Sequence, residues 1–367
     1  MTTASSREPR KPIDKQSLDY VFRSGLAGGL AGCAAKTVVG PLDRVKILFQ
    51  ASNPQFAKYS GSWFGVVTAM TDIYHQEGTW GLFRGHSATL LRIFPYAAIK
   101  FLAYEQVRAI VIQNKSQETP WRRLASGSLA GVTSVFFTYP LEVIRVRLAF
   151  ETKANTRTSL SAICRQIYRE RPPLPPPAAS TATSTSASRS HPSAAAATLA
   201  STTATTITKV APRSGIANFY RGFSPTLLGM LPYAGMSFLT HDTASDWLRH
   251  PYLAAHTTLP SPSNTTATTR DKPPQLKYWA ELLAGGFAGL VSQTASYPLE
   301  VIRRRMQVGG AVGDGHRLRV AETAAKVWRE KGWRGFFVGL GIGYFKVVPM
   351  VATSFFVYER SKAWLGI

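Results

Sequence analysis

Only two cysteines, Cys33 and Cys164, occur in the 367 residues, so neither a disulfide framework nor a cysteine zinc site can be built. Cys33 lies between Gly32 and Ala34, where its simplest role is that of a small packing residue. Acids are scarce: 20 Asp and Glu stand against 43 Lys and Arg, a net charge of +23. That balance favours polyanionic partners of any kind, whether nucleic acid, anionic lipid or phosphorylated solute. No apolar core of signal-peptide length precedes residue 20. Residues 1–19 mix Arg7, Arg10, Lys11 and Lys15 with Glu8, Asp14 and Asp19, too acidic for an amphipathic organelle presequence, so import would rely on internal information. Also missing are a nucleophile–base pairing, a metal-ligand cluster and a phosphate-cradling glycine loop followed by Lys and Ser or Thr. An enzyme is therefore the least supported class, and neither a metal nor a cofactor is expected.

What is present comes three times. Pro41-Leu-Asp43-Arg-Val-Lys46 returns as Pro140-Leu-Glu142-Val-Ile-Arg145 and as Pro298-Leu-Glu300-Val-Ile-Arg303. A lone acid and base three residues apart is a helical ion pair worth about 0.2–0.5 kcal/mol. Each copy, however, follows a long apolar segment and sits directly behind a proline, which removes a backbone donor and kinks a helix. Glycines fall 13 and 9 residues before each proline: Gly28 and Gly32, Gly127 and Gly131, Gly285 and Gly289. These small-xxx-small faces predict close helix–helix approach in lipid. The stretches 20–39, 121–139 and 278–297 are each about the 20 residues that a bilayer core requires.

A second landmark follows: Phe83-Arg84-Gly85, Tyr220-Arg221-Gly222 and Phe337-Val338-Gly339. Counting from that glycine, proline recurs at +10 (Pro95, Pro232, Pro349), phenylalanine at +16 (Phe101, Phe238, Phe355) and an acid at +20 (Glu105, Asp242, Glu359). The pattern predicts six long helical segments in three equivalent pairs, each pair enclosing a short amphipathic piece such as 63–75 or 321–330. Lys36, Arg92, Lys100 and Lys346 fall inside the segments, where a lipid-facing charge costs about 2.5–3.5 kcal/mol or more. They are expected to face a wet central cavity, without acids nearby to pair them.

Two stretches interrupt the repeat. The proline-to-glycine distance is 44, 82 and 41 residues in the three copies, so the middle copy carries a Pro-, Ser-, Thr- and Ala-rich insert over about 171–213, too poor in large apolar residues to pack. A polar linker follows the second copy. The division is a tail over 1–19, repeats over 20–113, 120–249 and 276–367, and a linker over 250–275.

The thrice-repeated Pro-x-[Asp/Glu]-x-x-[Lys/Arg], with an aromatic-[Arg]-Gly step some 40 residues on, resembles the mitochondrial carrier family over nearly the whole chain. The resemblance implies an all-α membrane protein: six transmembrane helices in three pseudo-threefold repeats, each with a short matrix helix, around one site exposed alternately to either side of the inner membrane. It further implies a monomer in contact with cardiolipin. By the same resemblance the acids and bases behind the prolines form a matrix gate, Asp43 with Arg145, Glu142 with Arg303 and Glu300 with Lys46. Gln50 and Gln307 brace two of these pairs, and Ala149 supplies no third brace. A partly buried ion pair gains about what it loses in desolvation, so such a gate can open and close at small net cost. The opposite, cytoplasmic gate matches at Tyr104-Glu105-x-x-Arg108 and Tyr358-Glu359-x-x-Lys362. The middle copy departs, reading His241-Asp242-x-x-Ser245, which leaves the expected pairs Asp242 with Lys362 and Glu359 with Arg108.

Positions that differ between repeats are the ones fitted to read an asymmetric solute. Position +7 is Arg92, Gly229 and Lys346, in the family the substrate contact points. Gly229-Met230 resembles the glycine–aliphatic pair of nucleotide carriers, leaving room for a flat ring, and Tyr233 offers a stacking face and a hydroxyl. Lys36 joins Arg92 and Lys346 as a third cation, and three interior cations argue for a multiply anionic solute. The strings Ala-Gly-Cys33-Ala-Ala-Lys36-Thr, Arg92-Ile-Phe-Pro-Tyr-Ala-Ala and Tyr139-Pro-Leu-Glu-Val-Ile-Arg-Val-Arg-Leu-Ala-Phe150 look like the coenzyme A carrier branch. Transport of coenzyme A, dephospho-coenzyme A or an adenine nucleotide exchanged for phosphate all remain open. From other classes, a basic nucleic-acid-binding repeat protein is disfavoured because the cations lie at gate positions inside apolar segments instead of forming one exposed stripe. A non-transporting membrane scaffold would leave the interior cations as an unexplained cost.

Overall fold

The structure is a computed structural model that describes residues 18–61, 63–111, 119–152, 159–170, 215–259, 274–309 and 319–366. Most of the tail, the insert over 171–213 and the middle of the linker lie outside the described residues. The chain is all-α: α1 Leu18–Val38, α2 Gly40–Gln50, α3 Trp63–Leu82, α4 His86–Val111, α5 Pro120–Phe150, α6 Leu160–Arg169, α7 Phe223–Leu248, α8 Pro251–Thr257, α9 Tyr278–Val308, α10 Val320–Lys331, α11 Leu340–Phe345 and α12 Val347–Leu365. Principal packing pairs are α4 with α5, α7 with α9, and α1 with α12, so the last helix lies along the first. The proline-led ends α2, α5 and α9 all touch one another.

Behind the proline the helix is interrupted only once. α5 and α9 run through Pro140 and Pro298 as single helices, whereas the first copy parts at Val39 and Pro41 falls in the first turn of α2. There its missing N–H belongs to a donor that the helix could not use anyway. α6 and α10 are short and amphipathic, with Ile163, Ile167, Thr323 and Val327 buried. α3 bends at Gly78, whose φ is 71°. In the linker, α8 is followed by a single antiparallel bridge from Thr258 to Leu276, which ties together the two ends of the undescribed stretch.

Burial is concentrated at the proline end. Val45, Leu48, Phe49, Val146, Phe150 and Val308 form one cluster there, and Tyr139, Val143, Ile144, Leu148, Ile163 and Ile167 a second. Towards the other end large apolar side chains such as Phe101, Leu102, Leu239, Phe355 and Trp364 are exposed. By length and apolarity alone two stretches among the described residues could cross a membrane, Ala125–Phe150 and the combined Val320–Leu365.

The small-xxx-small glycines do not make the close contacts expected of them. A Cβ at Gly28, Gly127, Gly131, Gly285 or Gly289 would meet nothing within 4 Å, and at Gly32 only Ile93 at 3.7 Å. The close approaches are instead at the second landmark. Gly85, Gly222 and Gly339 have φ of 82°, 80° and 81°, a left-handed conformation that favours glycine. A Cβ at Gly85 would lie 2.8 Å from the Arg145 carbonyl, and one at Gly222 would lie 3.0 Å from that of Arg303. The recurring aromatic-x-Gly step is thus a tight turn wedged against the neighbouring repeat's proline-led helix. Gly85→Ala is expected to lower stability by about 1–3 kcal/mol through strain and overlap, while Gly285→Ala stays within about 0.5 kcal/mol. Thermal unfolding of the two variants in detergent measures the difference.

Candidate functional site

At the proline end the three carboxylates and their bases are closed on one another. Arg145 meets Asp43 at 2.9 Å, Arg303 meets Glu142 at 3.1 Å and Lys46 meets Glu300 at 3.0 Å. The proline-led start of each helix points its acid inward, and the base three residues later reaches sideways to the next helix. Each carboxylate thereby joins two repeats.

Gln50 and Gln307 are in place but brace differently from expectation. Each donates at 3.0 Å to a tyrosine hydroxyl, Gln50 to Tyr297 and Gln307 to Tyr139. The hydroxyls then donate at 3.0 Å to the carbonyls of Val338 and Arg221. Tyr297 lies flat against Phe337 and Tyr139 against Tyr220, and their faces receive Lys46 at 5.0 Å and Arg303 at 5.6 Å, an attraction between cation and ring quadrupole.

Arg92 and Lys346 were expected to stand without counter-charge, and the structure corrects this. Arg92 bridges to Glu142 at 2.7 Å and Lys346 to Asp43 at 2.7 Å. The acids that pair them belong to neighbouring helices, so scanning each segment for its own acid could not find them. Glu142 also accepts Arg304 at 2.6 Å, giving one buried carboxylate three guanidinium partners. Lys36 alone of the three fits the expectation. Its ammonium faces the Met350 sulfur at 3.6 Å, a weak acceptor, and among the described residues no carboxylate bridges it. Lys100 is exposed and takes no part in this network.

Above the ring lies a cavity of about 1140 Å³ between α7, α9 and α12. Gly229, Met230, Tyr233 and Lys346 line it together with Lys46, Glu300 and Arg303. Gly285 and Gly289 line it too, which accounts for their lack of packing partners. A Cβ at Gly229 would meet only Leu299, at 3.6 Å. The volume lies just above the range of about 300–1,000 Å³ common for small-molecule sites. Arg92 and Lys36 are absent from that lining and approach through the ring and through Met350.

At the opposite end the expected inter-helix pair of Asp242 with Lys362 is open. Asp242 has His241 at 3.8 Å, and Glu359 pairs at 4.0 Å with Lys362 of its own helix. Glu105, Arg108, Asp242 and Glu359 are all exposed. His241 reaches Glu281 of α9 at 3.4 Å.

The residues not anticipated are Tyr139, Tyr297, Arg304 and a set of ion pairs holding the short helices: Arg44 with Glu77, Arg147 with Glu170 and Arg305 with Glu330, at 2.9, 3.1 and 2.5 Å. Tyrosine directly before Pro140 and Pro298 was a visible signal. So was the glutamate 8 or 9 residues before Gly85 and Gly339, hidden in the middle copy by the insert. Cys164, on α6, has its thiol pushed above its ordinary value by burial, as befits a packing residue.

Three sets of paired helices, each closed by the same acid–base step, define a solute carrier. The family model "Mitochondrial carrier protein" matches residues 18–115, 116–173, 180–252 and 274–367, and the chain belongs to the mitochondrial carrier family. Among its relatives, Mitochondrial carrier protein LEU5 of Saccharomyces cerevisiae is 48% identical over 97% of this chain and 93% of its own length. Human Solute carrier family 25 member 16 is 37% identical over 95% of this chain and 90% of its own. Mitochondrial carrier protein CoAc2 of Zea mays is 33% identical over 95% and 88%.

Removing one partner of a buried ion pair strands the other, at a cost of about 3–5 kcal/mol. Glu142→Gln strands three guanidinium groups and Glu300→Gln one ammonium. The first is therefore expected to lower the detergent melting temperature more than the second, and equal shifts would show that Glu142 is not the stronger tie.

Proposed function

We propose that this protein carries coenzyme A into the mitochondrial matrix, as a monomer spanning the inner membrane six times with its three repeats around a shared axis. The observation that carries the reading is a charge surplus. Lys36, Lys46, Arg92, Arg145, Arg303, Arg304 and Lys346 supply seven positive charges around the ring and cavity. Asp43, Glu142 and Glu300 supply three negative ones. Four charges are left over, and an empty, partly dehydrated cavity holds such an excess at a cost. Coenzyme A brings a 3'-phosphate of about −1.5 to −2 charge and one further charge on each phosphorus of its diphosphate. The adenine suits the open backbone at Gly229 with Tyr233 beside it, and Met230 supplies apolar contact. The name of the maize relative, CoAc2, points the same way.

The closed ring is the matrix gate in its shut state, and the exposed acids and bases at the other end are the cytoplasmic gate standing open. Arg92 and Lys346 belong to both site and gate. A phosphate that draws them away from Glu142 and Asp43 weakens the ring at two carboxylates at once, which couples binding to opening. The exposed apolar side chains along the long helices face acyl chains, and lipid, cardiolipin included, is the expected surrounding. ATP has a comparable charge, so an adenine-nucleotide carrier of the same family is the rival.

Proteoliposomes offered labelled coenzyme A, dephospho-coenzyme A, ATP and ADP decide between them: coenzyme A is expected to move, and its exclusion while ATP enters would overturn the proposal. Arg92→Ala and Lys346→Ala each leave their gate acid a second cation, so folding is retained while uptake falls by about tenfold or more, the loss of at least one charge-assisted contact. Gly229→Val, which fills the cavity floor, is expected to raise KM with little change in melting temperature.

A further inference from the structure

The ring has three seams, and two of them are built alike. Between α9 and α2 the tyrosine–glutamine brace is Tyr297 with Gln50, and between α5 and α9 it is Tyr139 with Gln307. The third seam, between α2 and α5, has Gly40 in the tyrosine position and Ala149 in the glutamine position. Phe83 fills the room that a tyrosine would need, 3.1 Å from where a Cβ on Gly40 would stand. The space left beside Gly40, Gly85 and Ala149 is about 10 Å³, at the limit of the roughly 10–15 Å³ that one water needs.

Two more departures fall in the same repeat. Three residues after the proline the other copies have Val143 and Val301, and the first has Arg44. Seven residues after it they have Arg147 and Arg305, and the first has Leu48. The arginine that ties a short helix to its proline-led helix has therefore moved one turn back. At the position of Leu48, Arg147 and Arg305 serve their own repeats through Glu170 and Glu330, and Arg305 adds one contact across its seam, to the Ser52 hydroxyl at 2.6 Å. From position 44 the arginine does both. Its guanidinium takes both Glu77 oxygens at 2.9 and 3.0 Å and the Gly81 carbonyl. It also crosses the seam to the carbonyls of Ala149 at 3.3 Å and Glu151 at 3.1 Å. The side chain is 1% exposed, and it brings a rigid fork of five donors to that spot.

We infer that Arg44 is a positioning residue that closes the third seam, doing there what the tyrosine–glutamine brace does in the other two. The inference rests on the reading of this end as a gate that parts during transport. When it parts, the Glu77 and Gly81 contacts travel with the first repeat, and Arg44's bonds to the Ala149 and Glu151 carbonyls break together with those from Arg84 to Glu151 and from Asn53 to Phe150. This seam therefore opens by releasing main-chain acceptors on α5, with no ring to unstack.

Moving the arginine tests this without stranding Glu77. Arg44→Val with Leu48→Arg copies the arrangement of the other repeats, and Ala149→Cys in a Cys33→Ser, Cys164→Ser background reports the seam through maleimide labelling. In detergent–lipid micelles the double variant is expected to label about tenfold faster than the Arg44 parent, as loss of one to two charged-donor hydrogen bonds predicts, at an unchanged melting temperature. Labelling at the parent's rate would overturn the inference. Should the double variant fail to fold, Arg44→Lys serves instead: about threefold faster labelling supports the role, since one ammonium cannot span both repeats, and parental labelling opposes it. Thiol-free desulfo-coenzyme A separates the two proposals. If it leaves labelling unchanged in both backgrounds while the tenfold difference persists, Arg44 closes the seam and the solute assignment is what fails.

Discussion

A single buried carboxylate shared among three guanidinium groups holds this molecule in its present shape. Glu142 reaches Arg92 on α4 and Arg303 and Arg304 on α9, so one side chain of α5 pins helices from all three repeats. Such a cluster is stable only while its members stay together, because the loss of any one leaves an unbalanced charge in a poorly hydrated place. That makes it suited to a barrier which must be firm when shut and must yield to a competitor of the right sign. The two tyrosines beneath it, each held by a glutamine and a backbone carbonyl, keep the cations from spreading into the neighbouring space.

The three repeats share this plan and differ where difference matters. The left-handed glycines Gly85, Gly222 and Gly339 serve one purpose in all copies, and so do the acid and base behind each proline. At the seven-residue position the copies part company as arginine, glycine and lysine: Gly229 and Lys346 line the cavity, while Arg92 is held in the ring by Glu142. At the seams the first copy departs again, exchanging an aromatic brace for Arg44. A repeated frame with asymmetric lining suits an asymmetric solute, since identical walls could not fix its orientation.

Much of the frame was legible in the residues themselves. The triple Pro-Leu-acid step carried the helix pairs and the family, and the pairing of Asp43, Glu142 and Glu300 with bases of other repeats came with the resemblance. The third position of each motif was not enough to foresee Arg304, whose contact with Glu142 depends on helix rotation. The partners of Arg92 and Lys346 were hidden for a similar reason: neither segment holds the acid that pairs its cation, and Glu142 and Asp43 lie more than forty residues away in sequence. The glycine stripes misled because a small residue fits equally well against a neighbouring helix and along an open cavity, and a spacing of four cannot tell these apart. Glu170 would have completed a triple pattern with Glu77 and Glu330 had the insert not displaced it from its glycine.

The short bridge between Thr258 and Leu276 fixes the entry and exit of the 260–273 stretch side by side, with the Thr257 carbonyl accepting from Lys277 at 2.7 Å and the Gln275 carbonyl from Leu259 at 2.9 Å. A clasp of this kind decouples what lies beyond it from α7 and α9, since chain of any length can be spliced between two anchored points at small entropic cost. It marks the natural place to graft a fluorescent or affinity module onto this carrier without disturbing the helices on either side.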